Sequence, residues 1–412
     1  MFNNFFKNYV RNDNVISSIV DYKTNNNYNG KEYTDLADIG YQNNVIVYRC
    51  VHIISRSVAS VAWTLREYDH KVKASNSIHQ HSILDLIARP NARQSRTSFV
   101  EAAVSYLLLS GNCYVQAIKN DETGEILELH LLRPDRVRVI PGLNSIPKCY
   151  EYSVGENKTF FMTDENGFSD ILHIKLFSPL NDWYGYSPVA VVMNAITQHN
   201  AITKQNISFL KNGGRPSGAL IYKSTFDSVQ RENLKNDLKN AYEGGKNAGK
   251  ILLLEGDFEW KEMGLSPKDL DFMSGKELSS KEIALAFGVP SILIGSTADA
   301  TFSNYKEARY NFWEETVLPM LSFITSEFTN WFRYIFKNNE ISILYDIDSI
   351  QALSKRRESE WKKINNATFL TDNEKREALG FSLLDYDDDD YSTEETAEHD
   401  STTDHEEDEK IE

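Results

Sequence analysis

The residues whose spacing most suggests chemistry are Gly244-Gly-Lys-Asn-Ala-Gly249-Lys250, which fit the GxxxxGK pattern of a phosphate-binding loop. Such a loop works only after a strand and before a helix, because the helix N-terminus must face the phosphates. Here the order is reversed. A helical pattern over 227–242 precedes the run and a strand pattern over 250–254 follows it. Ile251 also stands where a Ser or Thr would hold magnesium. The run reads as a glycine-rich turn from helix to strand. His79-Gln-His81 could present two imidazoles from one extended segment, but no third ligand accompanies them. Asp346 and Asp348 flank a strand end with no other sign of a site. HExxH and GxSxG are both absent. Cys50, Cys113 and Cys149 are far apart and show no metal spacing, so they read as reduced thiols. The sequence predicts no enzyme and no cofactor.

A chain of 412 residues, 41% hydrophobic and 12% aromatic, has enough apolar surface for more than one domain. The charge is uneven. Residues 385–412 hold 15 acidic residues against Lys410 alone, which is -14 of the formal -16 and leaves the remainder at -2. This acidic tail is expected to be disordered by its own repulsion. The first residues are too polar for a signal peptide, and no run approaches the roughly 20 apolar residues of a membrane span. Neither secretion nor membrane insertion is expected.

The elements that would position any site follow from periodicity. Residues 1–40, rich in Asn, Asp and Tyr, are expected to form a flexible arm. Val47, Cys50, Val51, Ile54, Val58 and Val61 lie on one helical stripe. Strand 62–68, helix 82–87 closed by Pro90, and helix 97–109 capped by Thr97 and stopped by Gly111 come next. Strands are predicted at 113–119, 126–132, 137–140, 148–154, 158–162 and 171–176, giving an α+β domain.

Ser187-Pro188 is a strong helix start. Val189, Met193, Ile196, Asn200, Thr203, Ile207 and Leu210 then repeat at 4, 3, 4, 3, 4, 3, a heptad seam interrupted by two polar residues. That spacing suits either a contact between subunits or an amphipathic helix on its own core. A β-α-β-β stretch over 217–263 follows, then a second helix from Ser266-Pro267 to Phe287, with Gly275 as a break point. Residues 291–304 form a small polar loop. A long aromatic helix from Tyr305 to Phe336 is expected to kink at Pro319. Strand 341–345 and helices at 350–365 and 371–380 close the chain.

Several passages resemble the portal family of long-tailed phages and gene transfer agents. They are Val47-Tyr-Arg-Cys-Val-His-Ile-Ile54 with Val58-Ala-Ser-Val61, the run from His81 to Asn91, Gly111-Asn-Cys-Tyr-Val115, and Leu132-Arg-Pro-Asp135. His173-Ile-Lys175 with Tyr184-Gly-Tyr-Ser-Pro188 follows, then Asn247-Ala-Gly-Lys250 with Leu254-Glu-Gly256. The last two are Ile283-Ala-Leu-Ala-Phe-Gly-Val-Pro290 and Leu370-Thr-Asp-Asn-Glu-Lys-Arg376. The resemblance covers about 45–384.

It implies an α+β portal fold assembled as a ring, usually dodecameric, at one vertex of a viral head. A wing would occupy 41–186 and 305–348. Stem helices would lie at 187–211 and 267–290, a clip at 212–266, a tunnel loop at 291–304 and a crown at 349–384. The seam from Val189 to Leu210 would face neighbouring subunits. The clip would offer Asp227, Arg231, Lys235, Lys246 and Lys250 to the terminase large subunit and then to a head–tail connector. Ser296, Thr297, Asp299, Thr301, Phe302, Ser303 and Asn304 would line the path of double-stranded DNA. No Lys or Arg lies in 291–304, as suits a surface that must slide rather than grip. The family would also imply contact with the major capsid or scaffold protein, assembly in a bacterial cytoplasm and a place in the virion. The alternative is a head–tail connector or capsid scaffold ring with no direct role in handling DNA.

Overall fold

The computed structural model describes residues 31–69, 74–78, 80–120, 122–143, 145–211, 218–222, 227–242, 258–262, 272–295 and 301–379. His79, the GxxxxGK run, the strand expected at 250–254, the Ser266-Pro267 helix start, the N-terminal arm to residue 30 and the acidic tail lie outside them. The chain divides into two units, 1–353 and 354–412.

The first unit opens with helix α1 (Lys31–Asp35), continued by a π-helical stretch, Leu36–Gln42. Residues 31–40 are therefore helical and not part of a flexible arm. Leu36 gives the physical reason, since it buries its side chain in the core. Asn44 caps α2 (Val45–Ser60), and the expected stripe of Val47, Cys50, Val51, Ile54 and Val58 is buried. Strand β1 (Trp63–Asp69) pairs with β2 (Ala74–Ile78), which the sequence reading missed. α3 (Ser82–Ala88) begins at His81, whose Nδ1 accepts from the Ile83 amide at 3.1 Å. That imidazole caps the helix. α4 (Arg96–Ser110) is capped by Ser95 in place of Thr97, and Gly111 ends it in the left-handed conformation, φ +76°. α4 lies along α2.

Next come β3 (Asn112–Lys119), β4 (Ile126–Leu132), β5 (Val137–Pro141), β6 (Pro147–Val154), β7 (Asn157–Met162) and β8 (Ile171–Lys175). They form two antiparallel sheets, β4-β3-β8 and β5-β6-β7. Tyr114, Val139, Tyr150, Trp183 and Tyr184 fill a second core of their own, and the Val139 amide donates to the Tyr184 hydroxyl at 2.9 Å.

Ser187 caps α5 (Pro188–Val191), and after a break at Val192 the helix resumes as α6 (Met193–Lys211). β9 (Gly218–Tyr222) and β10 (Phe258–Glu262) pair antiparallel, with α7 (Ser228–Tyr242) between them in sequence. α8 (Phe272–Ala286) runs unbroken through Gly275 and packs on α6. A β-carbon at Gly275 would lie 3.5 Å from Ile202 Cδ1, so the glycine marks a close approach of the two helices. A 3-10 turn, Ser291–Ile294, follows.

α9 (Phe302–Phe312) begins three residues earlier than expected, because Thr301 caps it by accepting from the Asn304 amide at 3.2 Å. A π-helical stretch, Trp313–Val317, links it to α10 (Leu318–Phe336). Pro319 thus falls in the first turn of α10, directly after the π-helical stretch, and helix continues on both sides. β11 (Ile341–Tyr345) joins the far edge of β1. The aromatic face of α10 is the centre of the main core. Phe328 and Phe332 are buried there, and Trp63 meets Phe328 edge to face at 5.4 Å.

The second unit holds α11 (Ser354–Asn365) and α12 (Asp372–Ala378). The expected Thr371 cap is present as a reciprocal box. The Glu374 amide donates to Thr371 Oγ1 at 3.3 Å, and Glu374 Oε2 accepts from the Thr371 amide at 2.8 Å.

Candidate stem, loop and clip surfaces

The seam on α5 and α6 divides at its midpoint. Val189 and Ile196 are fully buried in this chain's own core. They cannot face a neighbouring subunit, which corrects the reading of the whole seam as an interface. Gly40 packs against Val189 from within, and a β-carbon there would come 2.8 Å from Val189 Cγ1. Met193 is half-buried, while Ile207 is 47% and Leu210 72% exposed. On α8, Leu278 and Leu285 are also exposed and seven residues apart, so they share one face. The helix pair is anchored in the main core by Val189, Ile196 and Ile283 and leaves Ile207, Leu210, Leu278 and Leu285 exposed.

The two polar residues of the seam are bonded inside the chain. Asn44 Oδ1 accepts from the Ile46 and Val47 amides at 3.0 and 3.1 Å. Its Nδ2 donates to Asn200 Oδ1 at 3.0 Å and to His199 Nδ1 at 3.2 Å. Asn200 Nδ2 continues to the Ile39 carbonyl at 3.1 Å, and Thr203 Oγ1 donates back to the His199 carbonyl at 3.0 Å. Every hydrogen-bonding position of the Asn44 side chain is filled. Burial, and then the charge of Lys276, hold His199 below the usual histidine range, with the Asn200 bond opposing. A neutral ring is what an Nδ1 acceptor requires. Asn44 could have been read as a cap from its place before an apolar helix; its link to His199 has no local signal.

A second junction ties β3 and β8 to the start of α5. Asn112 Oδ1 accepts from the Gly185 amide at 2.7 Å and lies 3.1 Å from His173 Nε2. Asn112 Nδ2 donates to the Ser110 carbonyl at 2.8 Å and the Gly185 carbonyl at 3.3 Å. Ser187 Oγ donates to the Leu109 carbonyl at 2.6 Å while accepting from the Ala190 amide at 3.3 Å. His173 stacks on Tyr114 at 4.3 Å, and burial, followed by the Lys175 charge, pushes its pKa down to about 3. Gly111-Asn and Tyr184-Gly-Tyr-Ser-Pro188 are therefore the two halves of one joint.

The tunnel-loop residues separate. Ser296, Thr297 and Asp299 lie outside the described residues. Thr301 is the α9 cap. Phe302, Ser303 and Asn304 form the first helical turn and are not loop, which corrects the expected boundary. Phe302 is 75% exposed, with Lys306 Nζ 4.2 Å above its ring. In the expected clip, Asp227 immediately precedes α7, and Arg231 and Lys235 follow it at four-residue intervals on the exposed N-terminal half of that helix. Lys246 and Lys250 lie outside the described residues.

Burial pushes the Cys50 and Cys113 thiols up to about 12 and makes them unreactive. Among the described residues no group of three His, Cys, Asp or Glu is placed to hold a metal, and no helix is long and apolar enough to cross a membrane.

The family model described as phage portal protein matches residues 45–380. An uncharacterized protein of Rickettsia bellii is 40% identical over 347 residues, covering 84% of this chain and 88% of its own. The portal protein of Escherichia phage T5 is 26% identical, covering 82% and 81%. Among solved structures, a chain in the neck of a native gene transfer agent particle computed with C12 symmetry is 36% identical. Its TM-score is 0.65, with 86% of this chain and 95% of that one covered. An HK97-family phage portal protein from Corynebacterium diphtheriae shares the fold, with TM-score 0.53, 13% identity, and 77% and 96% coverage. The chain belongs to the phage portal protein family.

Proposed function

We propose that this chain is a structural, non-catalytic subunit that closes into a ring around a channel for double-stranded DNA at one vertex of a viral or gene transfer agent head. The observation that carries the reading is the anchored helix pair with uncovered apolar residues. Ile207 and Leu210 on α6, and Leu278 and Leu285 on α8, are exposed, and among the described residues none buries them, whereas a second copy beside them would. The C12 symmetry of the similar neck supports twelve copies. The absence of Lys and Arg across 291–304 supports a lining that does not hold phosphate.

In this reading the clip face of Asp227, Arg231 and Lys235, with Lys246 and Lys250, meets the terminase large subunit during packaging and a head–tail connector afterwards. The wing would contact the major capsid or scaffold protein, and assembly would take place in a bacterial cytoplasm before incorporation in the virion. Electron microscopy and native mass spectrometry of the purified chain at micromolar concentration test the ring. A closed annulus with a central bore is expected; a monomer overturns the reading.

A further inference from the structure

The second unit carries a charge pattern that the ring does not explain. α11 contains Lys355, Arg356, Arg357, Lys362 and Lys363 against Glu358 and Glu360. Helical spacing places Lys355, Arg356, Lys362 and Lys363 within about 120° of one another, around Ser359. Ser359, Lys362 and Lys363 are exposed, and the two glutamates fall at the margins of the stripe. Outside the acidic tail the chain carries only -2, and these 12 residues alone carry +3. The same unit continues from Leu379, through five residues, into the -14 segment Asp385–Glu412.

Reach is not limiting. Six residue steps from Leu379 span up to about 20 Å, and α11 is about 18 Å long. Tethering of this kind raises the local concentration of the acidic segment to the millimolar range. Four cationic positions on one helix face, opposite a chain of carboxylates and with a Debye length of about 8 Å at physiological salt, attract strongly enough for that concentration to matter. The alternative, an acidic tail kept wholly in solvent by its own repulsion, leaves the basic stripe unbalanced.

We propose that the acidic tail Asp385–Glu412 docks on the Lys355/Arg356/Lys362/Lys363 face of α11 and masks it from other polyanions. The occupant is this chain's own tail, and the proposal stands whether or not the ring reading holds.

The test is hydrogen exchange of α11 in three forms of the protein. They are the full chain, a chain ending at Leu384, and the full chain with its tail Asp and Glu changed to Asn and Gln. In the full chain at 50 mM salt, α11 amides are expected to exchange at least about fivefold more slowly than in the other two forms. At 0.5 M salt, where the Debye length is only about 4 Å, the difference should vanish. Equal α11 exchange in all three forms overturns the proposal. This readout separates docking from mere repulsion, because repulsion of an outside ligand does not protect α11 amides.

A second arm uses Lys362→Glu with Lys363→Glu in the full chain, two exposed positions whose change should not disturb folding. A glutamate-specific protease is expected to cut the tail several-fold faster in this variant, and an unchanged rate counts against docking. A 30-base-pair duplex serves as the competing polyanion. It should bind the chain ending at Leu384 at least about tenfold more tightly than the full chain at 50 mM salt, and equal affinity contradicts the masking.

Discussion

Asn112 and Gly185 are joined in both directions: the Gly185 amide donates to Asn112 Oδ1 at 2.7 Å, and Asn112 Nδ2 donates to the Gly185 carbonyl at 3.3 Å. Replacing Asn112 by Ala leaves the Gly185 amide and carbonyl, the Ser110 carbonyl and His173 Nε2 without their partner. A loss of about 2–4 kcal/mol is expected in denaturant unfolding. Asn112→Asp should be no better, because it removes both donors and adds a charge. A loss within experimental error for either variant contradicts the joint.

The same joint needs a bare backbone. A β-carbon at Gly185 would lie 2.1 Å from the Gly111 carbonyl oxygen, so Gly185→Ala forces the strand end and the helix start apart. It should cost about 3 kcal/mol or prevent soluble expression. Gly124→Ala is the control. Its φ of +72° is unfavourable, but nothing lies within 4 Å of the added carbon. About 1 kcal/mol is expected there, and thermal melts of the pair check the order.

Acid should weaken the fold in a defined window. His173 has its folded-state pKa depressed to about 3, from 6.5 in the unfolded chain. Between those values the unfolded chain binds a proton that the folded chain refuses, so stability is full above about 6.5 and falls as pH drops towards 3. His199 is shifted in the same direction. His173→Phe keeps the stack on Tyr114 and removes the titration. Its denaturation midpoint should be lower at pH 7 yet fall less between pH 7 and 4.5. Parallel curves for the two proteins would exclude His173 as the source.

Ring contact and folding should separate along α5 and α6. Leu210→Asp with Ile207→Asp should leave the circular dichroism and melting of the chain nearly unchanged and yield monomers in native mass spectrometry. Val189→Asp should unfold or aggregate the chain, because it buries a charge in the core. Rings that persist in the double variant would move the interface elsewhere.

Deleting Ser296 to Thr301 tests the channel role. Assembly should survive and DNA retention in particles should fall. The deletion also removes the α9 cap, so an insertion of six Gly and Ser residues after Gly295 supplies an independent change that keeps Thr301. Particles that package and hold DNA normally with both changes would exclude a channel role for this loop.

The strands and helices from Asn112 to Pro188 were largely legible in the sequence because their signals are local. Alternating strands between Asn112 and Lys175, the Gly111 stop and the Ser187-Pro188 start each depend on a few neighbouring residues. β2 was missed because Ala74-Ser-Asn-Ser-Ile78 has almost no apolar alternation and is held by pairing with β1. The seam was legible as a period but not as a partner. Val189 and Leu210 share it, yet one is covered by Gly40 and the other is not, and only long-range packing decides that. Asn44, His199 and Asn200 meet across some 155 residues of sequence, so no window contains their network.

The Asn44 clamp has a mechanical consequence. It grips α6 near its first third, and beyond Thr203 the helix extends for about 12 Å with exposed side chains. A sideways load at Leu210 therefore acts through a lever whose fulcrum is the clamp, and rotation there is resisted because three side chains and the Ile39 carbonyl would have to unbond together, with α8 packed alongside sharing the load.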